Sequence, residues 1–209
     1  MKTKVLVVED NKYMLEFFSE LIKKDGRFEL VGALRDAAQA DCFCRVNIVD
    51  LVLMDVQTLH SHSGLAAAES IKKRNPLIKI IIVTSLVDSL ILKKARSVGA
   101  DSLWYKDHGE SEILSVIEKT LSGEHIFPDK SPNVEIGESW SDELSETQKN
   151  ILRLYIRGNS YAAIGKKLFI EEPTVKYHMN QMIKKCGFNT KQELIAAAIE
   201  STAITTFGD

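Results

Sequence analysis

Asp50-Leu-Val-Leu-Met-Asp55 sets four apolar residues between two carboxylates. A continuous apolar run, rather than an alternating one, is what a strand buried on both faces requires. The pattern recurs outward from it. Val5 to Val8 is a similar run upstream, and Phe28 to Ala33 reads as another strand. Downstream, Lys79-Ile-Ile-Ile-Val-Thr84 and Ser102 to Tyr105 complete the set of strands. Helical stretches lie between them. Met14 to Lys24 carries Met14, Phe17, Phe18, Leu21 and Ile22 on one stripe, and a polar, alanine-containing helix runs to about Arg45. Gly64 to Arg74 stops before Pro76, Asp88 to Val98 closes at Gly99, and Ser111 to Leu121 ends the series. Five strand–helix repeats in about 120 residues describe a parallel, doubly wound α/β sheet.

The rhythm breaks over Gly123 to Glu143, which holds Pro128, Pro132 and two glycines and is read as a linker. From Leu144 onward no strand pattern remains. Ser145-Glu-Thr-Gln148 is a capping box that opens a helix with Ile151, Leu152, Tyr155 and Ile156 on one face. A short helix from Ser160 to Leu168, a tight turn over Phe169 to Glu171, and a helix from Glu172 to Cys186 follow, then a last helix over Thr190 to Ser201. Two helices joined so tightly suggest a helix-turn-helix. The expected domains are therefore residues 1–122, a linker 123–143, and a small all-α domain 144–209.

The chain has 209 residues, 44% of them apolar and 27% charged, which excludes a mainly disordered state. No stretch is apolar and long enough to span a bilayer, and the early Glu9-Asp10 is unlike a signal peptide, so a cytoplasmic protein is expected. Cys42, Cys44 and Cys186 are read as free thiols, because no second pair stands at metal-ligand spacing. The whole-chain charge of −2 argues against a polyanionic partner, but it averages unlike parts. Residues 126–143 hold one basic and five acidic residues, whereas 149–191 hold nine basic and two acidic, a local +7. A compact basic helical module suits a phosphate backbone.

In an open parallel sheet, chemistry gathers beyond the carboxyl ends of the strands. Glu9 and Asp10 follow the first strand, Asp55 ends the third, Thr84 the fourth, and Lys106 follows the fifth. Crowded carboxylates repel, so such a site wants a divalent cation, and an oxygen-only donor set selects Mg²⁺. Asp55 would act as the nucleophile toward a phosphoryl group, with Thr84 and Lys106 holding its oxygens. His60 and His62, in a serine-rich loop, are read as plain solvent-facing residues.

These residues resemble the receiver domain of two-component response regulators over about residues 3 to 122, which implies a flavodoxin-like α/β fold with a five-stranded parallel sheet. The resemblance implies Glu9 and Asp10 as the acid pair for Mg²⁺, Asp55 as phospho-acceptor, Thr84 as switch hydroxyl and Lys106 as the family's lysine. It also implies that the backbone carbonyl of Gln57 joins the metal. Lys106-Asp107 matches how many members end the fifth strand. The sequence departs from the pattern twice. Thr58-Leu59 stands where the family has Met-Pro, with Gly64 one residue late, and Leu103 stands where the switch aromatic is usual.

On the helix from Glu172, Val175, Met179, Met182 and Cys186 share one face at core spacing, and the opposite face carries Lys176, Tyr177, Asn180 and Lys184. Such side chains reach base edges or phosphates in a major groove. Leu144 to about residue 200 closely resembles the LuxR-type helix-turn-helix of the NarL/FixJ response regulators. The matching segments include Gly158-Asn-Ser, Ile164-Gly-Lys-Lys-Leu168, Thr174-Val-Lys-Tyr-His178 and Lys184-Lys-Cys-Gly187. The resemblance implies Lys176, Tyr177 and Asn180 in the groove, Lys184 and Lys185 near phosphates, and pairing of two copies through Lys191 to Ser201. Pro173 replaces a usual basic residue, and Gln148 a usual Glu.

The expected protein is a transcriptional response regulator rather than an enzyme. A sensor histidine kinase would control it through Asp55, and it would act as a homodimer, paired through the receiver, the last helix or both, on a palindromic DNA site. The alternative keeps DNA binding but makes the receiver a phosphorylation-independent dimerisation module. A Mg²⁺-dependent phosphohydrolase would want a second acid two residues after Asp55, where Gln57 stands.

Overall fold

The computed structural model describes residues 1–106 and 109–205, without the side chain of Glu110. Asp107, and the end of the all-α domain beyond 205, lie outside the described residues. The chain forms two compact units, one of residues 1–85 and 90–130, the other of 86–89 and 131–209.

In the first unit, five parallel strands, β1 (Thr3–Val8), β2 (Phe28–Leu34), β3 (Leu51–Asp55), β4 (Lys79–Thr84) and β5 (Ser102–Tyr105), stand in the order β2-β1-β3-β4-β5. The order reverses at β1, which puts the topological switch between β1 and β3. Helices α1 (Lys12–Lys24), α2 (Ala40–Val46), α3 (Gly64–Arg74), α4 (Ser89–Ser97) and α5 (Glu110–Leu121) connect or follow the strands. The sequence expectation for these elements holds to within a residue or two, except that the helix after β2 opens with a 3-10 turn, Ala37–Gln39, capped by the Asp36 side chain. On one face of the sheet Val5, Val7, Leu51, Leu53, Ile81, Val83 and Trp104 pack against Phe18, Ile22, Ile113 and Ile117. Leu6, Val8, Val52, Met54, Ile80 and Ile82, on the alternate positions, are equally buried. Burial on both faces accounts for the unbroken apolar runs.

The expected linker is structured. Ile126 accepts from the Leu103 backbone N–H at 2.9 Å and donates to Ser102 Oγ at 3.0 Å, so the chain after α5 lies along the β5 edge. Beyond residue 130 it enters the second unit as a short antiparallel hairpin, β6 (Glu135–Ile136) and β7 (Ser139–Trp140). Gly137 turns this hairpin at φ +62°, where a Cβ would lie 2.2 Å from the Cys186 carbonyl oxygen. Polar and proline-rich composition hid these contacts, which run through backbone groups.

The second unit continues with α6 (Glu146–Ile156), α7 (Tyr161–Leu168), α8 (Glu172–Lys185) and α9 (Lys191–Glu200). The Ser145–Gln148 capping box forms on both sides, with bonds of 3.2 and 2.9 Å. Val175, Met179, Met182 and Cys186 are all buried, in one core with Ile151, Leu152, Ile164 and Leu194. Residues 86–89 group with this unit because the fully buried Asp88 carboxylate accepts from Arg153 Nη2 at 2.9 Å and from the Thr205 backbone N–H at 2.9 Å.

Candidate functional site

The first unit gathers its acids at the β1/β3 switch. β1 delivers Glu9, fully buried, and Asp10, half-buried, and β3 ends in the buried Asp55. One carboxylate oxygen from each of the three lies within 4.8 Å of the others. Lys106, directly after β5, spans the group, with its ammonium 2.6 Å from Glu9 Oε2 and 2.9 Å from Asp55 Oδ2. Thr84 is buried at the end of β4, and its carbonyl accepts from the Lys106 backbone N–H at 2.9 Å. All five predicted side chains therefore stand at neighbouring strand ends.

Electrostatics follow from this crowding. Burial, reinforced by Glu9 and opposed by Lys106, pushes the Asp55 carboxyl up to about 7. Burial works against the Lys106 charge, but Asp55 and Glu9 outweigh it and hold the ammonium above the ordinary lysine value. Among the described residues three acids meet the Lys106 ammonium, so negative charge exceeds positive, and every carboxylate donor is oxygen. Such a pocket fits a hard divalent cation such as Mg²⁺.

The loop after Asp55 resolves how the unusual Thr58-Leu59 sequence is accommodated. Gly64 is placed against Asp55, where a Cβ would lie 1.7 Å from the Asp55 carbonyl oxygen, so only glycine permits this approach. The extra residue ahead of it is absorbed by His60 and Ser61, both left-handed at φ 59°. Thr58 is buried, its Oγ1 accepting from the Ala37 backbone N–H at 2.9 Å and donating to the His62 carbonyl at 3.1 Å. Gln57, exposed, pairs with Ser63 in an isolated antiparallel bridge. Arg35, which the sequence reading passed over, donates two bonds to the Asp10 carbonyl at 2.8 and 3.2 Å. Its position two residues beyond the predicted β2 end was the available signal. At β5, Leu103 and Tyr105 share a face, and Tyr105 pairs in register with Thr84 while Trp104 enters the opposite core. The buried aromatic next to Thr84 along the ladder is thus Tyr105.

In the second unit, α7 packs closely on the turn before α8. A Cβ on Gly165 would lie 2.6 Å from the Ile170 carbonyl, and Phe169 takes the left-handed conformation that ends α7. α8 starts at Glu172 with Pro173 in its first turn, where proline lacks only an N–H that the helix does not use. Lys176, Tyr177, Asn180 and Lys184 are exposed on the face opposite the core. Lys185 differs from them, since its ammonium donates to the Glu143 carbonyl at 2.8 Å. α9 buries Leu194 and Ala198 and leaves Ile199 exposed. Among the described residues no helix is long and apolar enough to cross a membrane.

An acid pocket at the switch of a 2-1-3-4-5 sheet, joined to a basic helix-turn-helix, defines a two-domain regulator. Residues 5–118 match the family model described as response regulator receiver domain, and residues 142–198 match that of bacterial regulatory proteins, luxR family. The chain belongs to the response regulator receiver family and is a DNA-binding two-component response regulator of the LuxR type. It is 24% identical over 194 residues to a nitrate/nitrite response regulator protein homolog of Haemophilus influenzae, covering 91% of this chain and 93% of that one. It is 27% identical over 214 residues to the response regulator protein VraR of Staphylococcus epidermidis, covering 98% and 100%. In fold it is similar to RcsB, solved as two dimers bound to two parallel DNAs, with a TM-score of 0.64 at 16% identity over 96% of this chain and 99% of that one. A LuxR-family response regulator from Aurantimonas sp. gives a TM-score of 0.57 at 25% identity over 60% and 89%.

Proposed function

We propose that the protein is phosphorylated on Asp55 and that this controls DNA binding by its second unit. The observation that carries the reading is the convergence of Glu9, Asp10, Asp55 and Lys106 on one point at the sheet switch. Ionised Asp55 attacks the phosphorus of a sensor kinase's phosphohistidine or of a small phosphodonor. The Asp55 Oδ–P bond forms as the P–N or P–O bond breaks, and the leaving group takes up a proton or departs as an anion. Glu9, Asp10, Asp55 and the Gln57 carbonyl would hold Mg²⁺, which supplies neutralisation of phosphoryl charge when bound. Lys106 favours the ionised nucleophile before transfer and takes the phosphoryl oxygens afterwards, with the Thr84 hydroxyl as a second donor.

On the output side, Lys176, Tyr177 and Asn180 meet base edges in a major groove while Lys184 and Lys185 contact phosphates. Two copies paired through Lys191 to Ser201 place two such helices on a palindromic site. RcsB has been solved as DNA-bound dimers, and this fold relative supports the arrangement. The setting is the cytoplasm, where kinase and DNA are both accessible.

Gel shifts with genomic fragments, run with and without acetyl phosphate and Mg²⁺, test the reading. Phosphodonor should tighten binding of the native protein and leave Asp55→Asn unchanged. Equal binding in all conditions would instead favour a phosphorylation-independent regulator, and no binding to any fragment would overturn the DNA role.

A further inference from the structure

We propose that His60 and His62 form a binding site for a divalent late-transition-metal ion of the zinc or nickel kind, made of residues other than those of the acid pocket. The two imidazoles lie with ring centres 5.8 Å apart and planes inclined by 58°. Imidazoles sharing one tetrahedral zinc at Zn–N distances of about 2.0–2.1 Å have ring centres roughly 5 Å apart. Rotation of the exposed His60 side chain, with His62 held by Asp36, closes the difference.

The second observation is the partner of His62. Its Nδ1 lies 2.7 Å from Asp36 Oδ1, and a carboxylate only accepts, so Nδ1 carries the proton and donates. That leaves the lone pair of neutral His62 on Nε2, facing away from Asp36. A carboxylate behind a histidine is the usual companion of a metal-bound imidazole, because it fixes the tautomer and raises the basicity of the ligating nitrogen. Asp36 is itself held in place, with its Oδ1 also accepting from the Ala38 backbone N–H at 2.9 Å.

The backbone presenting the pair is fixed on both sides. Thr58 Oγ1 bonds Ala37 and His62, the Leu59 N–H donates to the Arg35 carbonyl at 3.2 Å, and the His62 N–H donates to the Leu59 carbonyl at 3.2 Å. His60 and Ser61 hold left-handed conformations that non-glycine residues rarely adopt. The geometry presents both rings from one tight turn. Two nitrogen donors completed by water suit ions late in the first transition row and discriminate against Mg²⁺, which takes oxygen.

Isothermal titration of the full chain with ZnCl₂, in buffer holding Mg²⁺ in excess to occupy the acid pocket, tests the site. One equivalent should bind, with affinity at least tenfold weaker in His60→Ala and in His62→Ala. Asp36→Asn, which keeps an acceptor for Ala38, should weaken binding by a smaller factor. Both rings are exposed, so these variants retain the fold. A second readout uses paramagnetic Ni²⁺ below one equivalent and the ring proton resonances of the five histidines. Resonances missing from the His60→Ala and His62→Ala spectra should broaden first. Absence of saturable binding by the native chain, native affinity in either histidine variant, or even broadening of all histidines would overturn the proposal.

Discussion

The acid pocket and the exposed face of α8 carry the two ends of the proposed function, and they are built on opposite principles. Glu9, Asp55, Thr84 and Lys106 are spread over nearly half the chain and meet only because parallel strands end side by side. Lys176, Tyr177, Asn180 and Lys184 come from a single helix and need only its 3.6-residue period to share a face. The pocket is buried, so its charges interact strongly and perturb one another. The α8 face is solvated, where each charge contributes modestly and salt screens it. The difference implies that single substitutions should be severe and pH-dependent in the first unit but graded and salt-dependent in the second.

The sharpest break of this contrast is Lys106→Ala. Removing the ammonium that spans Glu9 and Asp55 should lower the rate of Asp55 phosphorylation by about two to three orders of magnitude, the usual cost of losing a preorganised donor. Time-resolved intact mass measures the acyl phosphate. A rate within threefold of the native protein would mean that Lys106 does not hold the reacting group.

Asp55 also predicts a pH dependence of stability without Mg²⁺. Its folded pKa of about 7 is above the ordinary carboxylate value, so between those values the folded state binds more protons than the unfolded state. Stability therefore falls as pH rises toward 7, and the burial cost is fully present above it. Denaturant unfolding in chelator should show native protein losing about 2 kcal/mol between pH 5 and 7 relative to Asp55→Asn. A parallel pair of curves would show that the carboxylate is not desolvated in solution.

For α8, Asn180→Ala should weaken specific DNA binding roughly tenfold, the loss expected of one base contact. Lys184→Ala should weaken binding to all sequences alike and reduce the salt slope by about one. Lys185→Ala should do less, because its ammonium is already engaged by the Glu143 carbonyl. Equal slopes for the two lysine variants would show that DNA releases that bond.

The succession of strands and helices, the acid pocket and the α8 faces were legible in the sequence because each rests on a period or on a position at a strand end. Val175, Met179, Met182 and Cys186 could be placed in the core by spacing alone. What was not legible depends on backbone bonds between distant segments, which composition does not encode. Residues 123–143 read as a linker, yet Ile126 bonds along β5 and Gly137 fits against Cys186. The loop after Asp55 looked like a disturbed family motif. Its shape is set by Gly64, which must abut Asp55, and by a left-handed pair that takes up the added residue.

Thr58 gives an effect confined to stability and separates the two regions most cleanly. A polar residue in a serine- and histidine-rich loop reads as surface, but its hydroxyl is buried against the Ala37 N–H and the His62 carbonyl. Thr58→Val keeps the shape and removes both bonds, leaving a buried donor unsatisfied at a cost of about 1–2 kcal/mol. Thr58→Ser keeps the hydroxyl and should recover most of that loss. Chemical denaturation followed by Trp104 fluorescence reads the first unit, since Trp104 sits in its core beside Phe18, provided the signal is separated from that of Trp140. DNA affinity of the unphosphorylated protein should not change, because α8 takes its shape from a core of its own. A matching loss of DNA affinity in Thr58→Val would show that the loop beside Asp55 and α8 respond as one.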